Sequence, residues 1–305
     1  MPGQITAFDI GECMVKAACF TGGKLKKVMA KELPDNMVSG GEIVSMDAMA
    51  DFLRQTAKSN GIPLTHAALV LPSTEVFTRE LVMPAMTEQQ LLYNLPYEFR
   101  DYLTEEKNKY FFDYSMREVL RDESGQPTEM NLLACATLKS TVESYRAMLR
   151  RAGFRLRVLT PSECAYSAVL QAYYRRTRQE GRDLCVVNLG HSATFLYIYR
   201  GGRFASRREI EVGMSDLEHL VADQCSVDVH VAHEYVRQNY NHVLESEQAR
   251  ELYGRIAVEV VKAVNFFNYN NRERELTQLC LCGGGSAIQP LYDTIADTTG
   301  MTLHT

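Results

Sequence analysis

The 305-residue sequence has no run of about 18 uninterrupted apolar residues, which excludes a membrane-spanning helix. It also lacks an apolar secretory segment at its start, and its eight cysteines are scattered along the chain. These two absences argue against a disulfide framework and for a reducing, cytoplasmic compartment. An excess of basic residues is missing too: the formal charge is −5, so nucleic acid is not expected as a partner. What is present is ordinary for a globular protein, with 46% hydrophobic and 23% charged residues. At this length two domains, or one bilobal unit, can bury a substantial core.

The most informative stretch runs from Leu184 to Gly213. It reads as a strand, a tight turn at Gly190-His191-Ser192, a second strand to Tyr199, a Gly201-Gly202 turn and a third strand. The N-terminus repeats that layout with Ile5 to Ile10, Gly11, Val15 to Phe20, Gly22-Gly23 and a strand near Val28. One offset, 188 − 9 = 179, pairs Asn188 with Asp9, Gly190 with Gly11 and Gly201-Gly202 with Gly22-Gly23. Two copies of one supersecondary unit predict two related lobes.

Residues 1–84 read as the N-terminal part of the first lobe. Pro34 to Gly41 is expected as a loop, Ser45 to Asn60 as a helix stopped by Gly61-Ile62-Pro63, and Ala67 to Leu71 as a buried strand. Residues 85–160 read as an inserted α+β subdomain. There Thr87 caps a helix, Pro96 predicts a kink or two shorter helices between Leu91 and Leu103, and Tyr110 to Val119 and Met130 to Thr137 are strands. A helix from Lys139 to Arg151 and a strand from Phe154 to Leu159 close it. Residues 161–182 are a connecting helix and the basic stretch Arg175 to Arg182. The second lobe, 183–305, continues through helices at Ser215 to Cys225, Asp228 to Asn239 and Glu247 to Asn270. A strand from Leu279 to Cys282 then runs into Gly283-Gly284-Gly285-Ser286 and a last helix.

Tight glycine turns after strands let backbone amides reach a phosphate with no Cβ in the way. Three such turns occur, at Gly11, at Gly190 and at Gly283 to Gly285. Asp9, two residues before its glycine at a strand end, suits a magnesium ion held through water. Either hairpin alone is more often only a hairpin; the repeat and the third turn together favour a phosphate site. Other clusters read plainly. Cys280 and Cys282 alternate with Leu279 and Leu281 as a buried strand does, and His230 and His233 belong to a surface helix rather than a zinc site. Arg146, Arg150, Arg151, Arg155 and Arg157 read as a solvated face before a lipid-binding one. Tyr93, Tyr97, Phe99, Tyr102 and Tyr110 to Tyr114 are expected in the insert's core, or at a partner groove where exposed.

Phe8-Asp9-Ile10-Gly11 with Lys16, Val187-Asn188-Leu189-Gly190 with Thr194, and Cys280-Leu281-Cys282-Gly283-Gly284-Gly285 resemble three motifs of the actin-like ATPase superfamily, the first phosphate, second phosphate and adenosine motifs. Within it the sequence is most similar to the PilM family of type IV pilus assembly proteins, relatives of the division protein FtsA. Tyr97-Glu98, Phe112-Asp113-Tyr114 and Ala134-Cys135-Ala136-Thr137-Leu138-Lys139 resemble the insert of that branch. The resemblance implies an α/β, bilobal actin-like ATPase fold, two duplicated lobes around a nucleotide cleft, with an FtsA/PilM-type α+β insert in the first lobe. It implies ATP and Mg2+ as ligands. Asp9 would hold the magnesium shell through water, Gly11, Glu12, Gly190, His191 and Ser192 would face the phosphates, and Lys16 would approach them. Asn188 occupies the second motif and Gly213 ends its unit. Glu259 and Lys262, on one helix face, would contact ribose or adenine, and Gly283, Gly284, Gly285 and Ser286 would close over the nucleotide. Glu163 matches the position that orients water in hydrolysing relatives.

Two residues depart from the family pattern. Asn188 stands where an acid is normal, and Glu12 where a small hydroxyl or glycine is usual. A carboxylate beside a triphosphate is repulsive by on the order of a few kcal/mol at an effective dielectric near 20. Both changes imply at most a weak ATPase. The expected function is a cytoplasmic ATP-binding scaffold, peripheral at the inner face of the cytoplasmic membrane, in a type IV pilus or related type II secretion platform. Its partner would be the cytoplasmic N-terminal tail of a PilN-like single-pass membrane protein, lying in a groove between the first lobe and its insert, and self-association is left open. The alternatives are an FtsA-like division or chaperone-type ATPase, or an active ATPase or small-molecule kinase. A kinase would need a carboxylate base where this chain has Asn188. Relatives usually run on past the glycine motif, so a sequence stopping at Thr305 reads as truncated or unusually short.

Overall fold

The computed structural model describes residues 3–178, 181–272 and 275–304. Two units divide the chain, Met1–Ala165 and Tyr166–Thr305.

The first unit opens with an antiparallel meander of β1 (Gln4–Ile10), β2 (Met14–Thr21) and β3 (Lys24–Glu32). The loop expected at Pro34 to Gly41 holds half of a small hairpin, β4 (Val38–Ser39) with β5 (Glu42–Ile43). In α1 (Met46–Ser59) the Ser45 hydroxyl caps the helix by accepting from the Ala48 amide, and Met49, Ala50, Leu53 and Ala57 form the buried stripe. β6 (His66–Leu71) then lies parallel to β1. The chain continues through β7 (Phe77–Pro84), α2 (Glu88–Glu98), β8 (Tyr110–Arg121), β9 (Pro127–Leu138), α3 (Lys139–Ala152), β10 (Arg155–Pro161) and α4 (Ser162–Thr177).

Two sheets result. One runs in the order β10-β6-β1-β2-β3, and the other is a separate three-stranded sheet, β7-β9-β8. The expected insert of residues 85–160 therefore needs new edges. β7 belongs to the insert's sheet, while α3 packs on α1 and β10 pairs with β6 in the larger sheet. The physical reason lies in burial: Tyr145, Met148, Leu149 and Ala152 of α3 join the same core as Phe8, Met49 and Leu53. Leu81, Met83, Leu91, Leu95, Phe99, Tyr110 and Leu132 form another core beneath α2. Pro96 sits in the last turn of α2, which ends at Glu98; it forgoes the amide bond to the carbonyl four residues earlier without dividing the helix. It remains one helix, closed at its start by Thr87 and Gln90, which satisfy each other's backbone amides.

The second unit contains β11 (Leu184–Leu189), β12 (Thr194–Arg200), β13 (Arg203–Ile210), α5 (Met214–Cys225), α6 (Val229–Gln238), α7 (Glu247–Asn270), β14 (Gln278–Cys282), α8 (Gln289–Thr299) and β15 (Thr302–His304). Its sheet order, β13-β12-β11-β14-β15, repeats that of the first unit strand for strand. Even the irregularities repeat. A register shift falls at Cys19/Phe20 between β2 and β3 and at Ile198/Tyr199 between β12 and β13, the same offset of 198 − 19 = 179. The following glycine pairs, Gly22-Gly23 and Gly201-Gly202, all have positive φ, which glycine adopts without strain. α7 supplies Leu252, Ile256, Val260, Val264 and Phe267 to the core of this unit. Residues 179 and 180, inside the basic stretch read from the sequence, lie outside the described residues.

One half-buried acid in the first unit gives a pH-dependent expectation. Burial raises the Glu75 carboxyl above its ordinary value; the Tyr145 hydroxyl bonded to it opposes the shift and the nearby Glu42 charge adds to it. Its Oε2 finds no hydrogen-bond partner among the described residues. A carboxyl raised on folding contributes stability below its unfolded pKa and loses it as pH rises through the folded value. Glu75→Gln, which mimics the protonated form, should therefore raise the thermal midpoint at pH 7. The gain should close as pH falls toward the unfolded carboxyl value of about 4.3, and paired melting curves across that range check it.

Candidate functional site

In the first unit, β1 and β2 pair Asp9 directly opposite Lys16, and the two side chains meet at 3.4 Å, each about half exposed. An exposed pair at that distance contributes at most about 1 kcal/mol, so both groups can exchange each other for a ligand at little cost. Gly11 makes the turn tight, its amide donating to the Met14 carbonyl at 3.0 Å. The Glu12 side chain is held away on another element: its Oε1 accepts from the Gly41 amide at 2.8 Å, in the bend of the β4–β5 hairpin. The acid that would repel a phosphate thus has a partner of its own.

In the second unit the corresponding turn is wedged between two other segments. Gly190 donates to the Ala193 carbonyl at 3.1 Å, and a Cβ on Gly190 would lie 2.6 Å from that oxygen. The start of α5 rises beneath the turn. Met214 donates its amide to the Gly190 carbonyl at 3.1 Å, and Ser215 donates to the His191 carbonyl at 2.8 Å. Gly213 precedes that helix, and its own amide is capped by the Asp216 carboxylate at 2.8 Å. From the other side comes the glycine segment after β14. Gly283 has φ +86°, and a Cβ there would stand 2.5 Å from both the Asn188 Oδ1 and the Leu189 carbonyl oxygen. A Cβ on Gly285 would stand 2.7 Å from the Met214 sulfur and 2.9 Å from the Leu189 Cβ, whereas a Cβ on Gly284 would meet nothing within 4 Å. Ser286 stays on its own turn, its hydroxyl donating to the Gly283 carbonyl at 2.7 Å.

The structure therefore brings Asn188, Gly190, His191, Ser192, Gly213 and Gly283 to Gly285 together. Glu259 and Lys262 form a second group on α7. Lys262 Nζ lies 2.7 Å from one Glu259 oxygen, and Arg208 of β13 approaches the other at 3.5 Å. The Lys262 ammonium, with Arg208 behind it, holds the Glu259 carboxyl below its usual range. Glu163 is 1% exposed in the first turn of α4. Burial pushes the neighbouring Cys164 thiol up to about 11, and the Glu163 charge adds to that shift.

Several contributing residues were not singled out from the sequence. Asp216 is recoverable from spacing: an acid three residues after a Gly213 that opens a helix can reach back to the Gly213 amide, the half of a capping box that a glycine N-cap permits. Arg208 and Glu218 reach the site only through tertiary packing. Glu218 Oε1 lies 2.8 Å from His233 Nδ1 and 3.8 Å from His191 Nδ1. No group of three or more His, Cys, Asp or Glu side chains among the described residues could hold a metal ion. No helix among them is long and apolar enough to cross a membrane.

Comparison with known proteins matches this architecture. The chain is similar to the protein of a solved "PilM-PilN type IV pilus biogenesis complex", with 18% identity, a TM-score of 0.83, and coverage of 100% of this chain and 88% of that one. It is also similar to the ethanolamine utilization protein EutJ from Carboxydothermus hydrogenoformans, with 13% identity, a TM-score of 0.63, and coverage of 100% and 85%. MreB5 of Spiroplasma citri, solved bound to ADP, shares 11% identity at a TM-score of 0.54 over 99% of this chain and 91% of its own. No curated protein matches. These likenesses establish a bilobal actin-like fold. The family model for the type IV pilus assembly protein PilM matches residues 7–304, and the chain belongs to that family.

Proposed function

We propose that this chain is a cytoplasmic, actin-like scaffold of the type IV pilus assembly platform. On this reading it binds ATP with Mg2+, turns it over weakly at most, and docks the cytoplasmic N-terminal tail of a PilN-like single-pass membrane protein at the inner face of the membrane. The observation that carries the nucleotide half is the wedged turn of the second unit. Gly190, Gly213, Gly283 and Gly285 sit where a Cβ would overlap neighbouring atoms, while Gly284 faces open space. The first four let the backbone segments of this unit close on one another, and at Gly284 no neighbouring atom stands in the way of a phosphate approaching the main chain.

The residues fit the ligand. In the first unit Asp9 and Lys16 are exposed enough to meet Mg2+ through water and a phosphate oxygen. In the second, Asn188, Gly190, His191, Ser192 and Gly213 form the other phosphate turn, Gly283 to Ser286 cover the nucleotide, and Glu259 and Lys262 meet its ribose or base. A magnesium ion needs only one or two protein carboxylates when phosphates and water complete its shell, so the lack of a multi-ligand cluster among the described residues is consistent. When bound, Mg2+ would neutralise phosphate charge. Weak turnover follows from Asn188, which cannot supply the second turn's usual negative charge. Glu163, buried at the start of α4, would orient water.

The partner half is supported by the similarity to a PilM solved with PilN. It is also supported by the insert's exposed aromatics, with Tyr93, Tyr97, Tyr102 and Phe111 open to solvent. Calorimetric titration with ATP, with and without Mg2+, followed by phosphate release on the same sample, tests the first half. The expected result is binding with negligible release; rapid release would favour an active ATPase. Pull-down with a PilN-like tail peptide tests the second half, and absence of capture both with and without ATP would overturn the scaffold reading.

A further inference from the structure

The turn after β11 carries an arrangement of charge that phosphate binding by backbone alone leaves unused. Glu218, on α5, is only 7% exposed, and two imidazoles converge on its Oε1. His233 of α6 approaches at 2.8 Å and His191 of the turn at 3.8 Å, both through Nδ1. A carboxylate so far removed from water requires donors, and one histidine would satisfy it. The second changes the charge of the turn. With one imidazole protonated the three groups are neutral together; with both protonated they carry one net positive charge. His191 keeps 29% of its side chain exposed, and with Nδ1 turned to Glu218 its Nε2 lies on the opposite edge of the ring.

We propose that His191, braced by Glu218 and backed by His233, is a protonatable phosphate contact. Nucleotide binding would then strengthen as pH falls through the imidazole range and would depend less on Mg2+ than an acidic second turn allows. The inference rests on the nucleotide-binding reading above and adds a residue-specific charge to it. Asn188, three residues earlier, is neutral where an acid would compete for the same proton and demand a metal. Other titratable groups stand around the turn. Asp216 of α5 is committed to the Gly213 amide, and His219 of α5 lies 2.7 Å from the Ser215 carbonyl. Cys282, ending β14 beside Asn188, lies 3.5 Å from the Tyr166 hydroxyl, and the Gly284–Ala287 turn has no titratable side chain.

Linkage fixes the sign. Imidazoles change charge between about pH 5 and 8, and if the protonated turn binds phosphate better, bound phosphate favours the proton and low pH favours binding. The test is calorimetric titration of the full chain with ADP at pH 6 and pH 8, in EDTA and in Mg2+, for the unaltered protein, His191→Gln and Glu218→Gln. In EDTA the unaltered protein should bind about tenfold more tightly at pH 6, the size of one charge-assisted contact. His191→Gln should lose that gain, and Glu218→Gln, which removes the carboxylate bracing the imidazole, should reduce it. An equal gain in His191→Gln would assign the pH effect to the ligand's own phosphates and overturn the proposal while leaving nucleotide binding intact. No ADP binding at either pH, with or without Mg2+, would overturn both.

Discussion

Replacing Gly213 by alanine should cost the second unit about 3 kcal/mol of stability, at the upper end for an overpacked site. The backbone there is extended, with φ −137° and ψ −170°, so the objection is to the added atom and not to the conformation. A Cβ would overlap the His191 carbonyl oxygen and stand 2.5 Å from the Ser192 carbonyl carbon. Both neighbours are main chain, so no side-chain rotation relieves the contact. Either the turn at Gly190 to Ser192 lifts or the first turn of α5 withdraws. Each movement breaks the hydrogen bonds that the Met214 and Ser215 amides donate to the turn and that hold the two together. Gly254 provides the control. It lies inside α7 with nothing within 4 Å of an added methyl, and alanine there should stabilise by about 0.5–1 kcal/mol through helix propensity alone. Urea unfolding of the two variants beside the parent separates the effects. A Gly213→Ala protein as stable as the parent would show that the turn is not pinned to α5.

The same turn shows how much of the site a sequence can disclose. Its glycines were visible because a strand followed by a tight turn has a local signature, and because the pattern recurs after 179 residues at Asp9 and Gly11 (188 − 9, 190 − 11). The groups that orient it were not visible. Glu218 and His233 stand on α5 and α6, fifteen residues apart in sequence, and meet only once those helices pack. Glu12 likewise looked like an acid aimed at phosphate, because nothing local indicates that the Gly41 amide, 29 residues later, will take its carboxylate.

The missed strands have physical reasons of their own. In β7, Phe77, Leu81 and Met83 point into the insert's core, but Arg79 interrupts the alternation that would have marked a strand. Its guanidinium stacks over the Tyr102 ring at 4.5 Å and also donates to the Glu98 carbonyl, so an arginine occupies an inward position without remaining unpartnered. β15 is three residues long and pairs in parallel with β14, a contact that no hairpin signal announces. α3 and β10 belong with the larger sheet for the same reason: parallel pairing of β10 with β6 is non-local, and proximity in sequence to the insert misled the boundary.

Phe99→Ala should separate the two halves of the proposed function. Phe99 closes α2, is fully buried, and packs with Leu91, Leu95 and Leu132 in a core that contains no residue of either larger sheet. Its ring centroid lies 5.7 Å from that of Phe112 on β8, so one side chain ties the helix to the strands beneath it. Removing a buried phenyl group costs about 3–5 kcal/mol. That is large for a core built from one helix and three strands, and it falls almost wholly on α2 and β7 to β9. Hydrogen exchange should show protection lost in those strands and kept in β11 and β14. ADP affinity should stay near that of the parent, because Asp9, Lys16 and the turn at Gly190 belong to other cores, while capture of the PilN-like tail peptide should fall sharply. If peptide binding survived the loss of protection in the insert, the insert could not be the docking element. If ADP binding vanished with it, the three hydrophobic cores would be one cooperative unit, and the separation of scaffold from nucleotide site would fail.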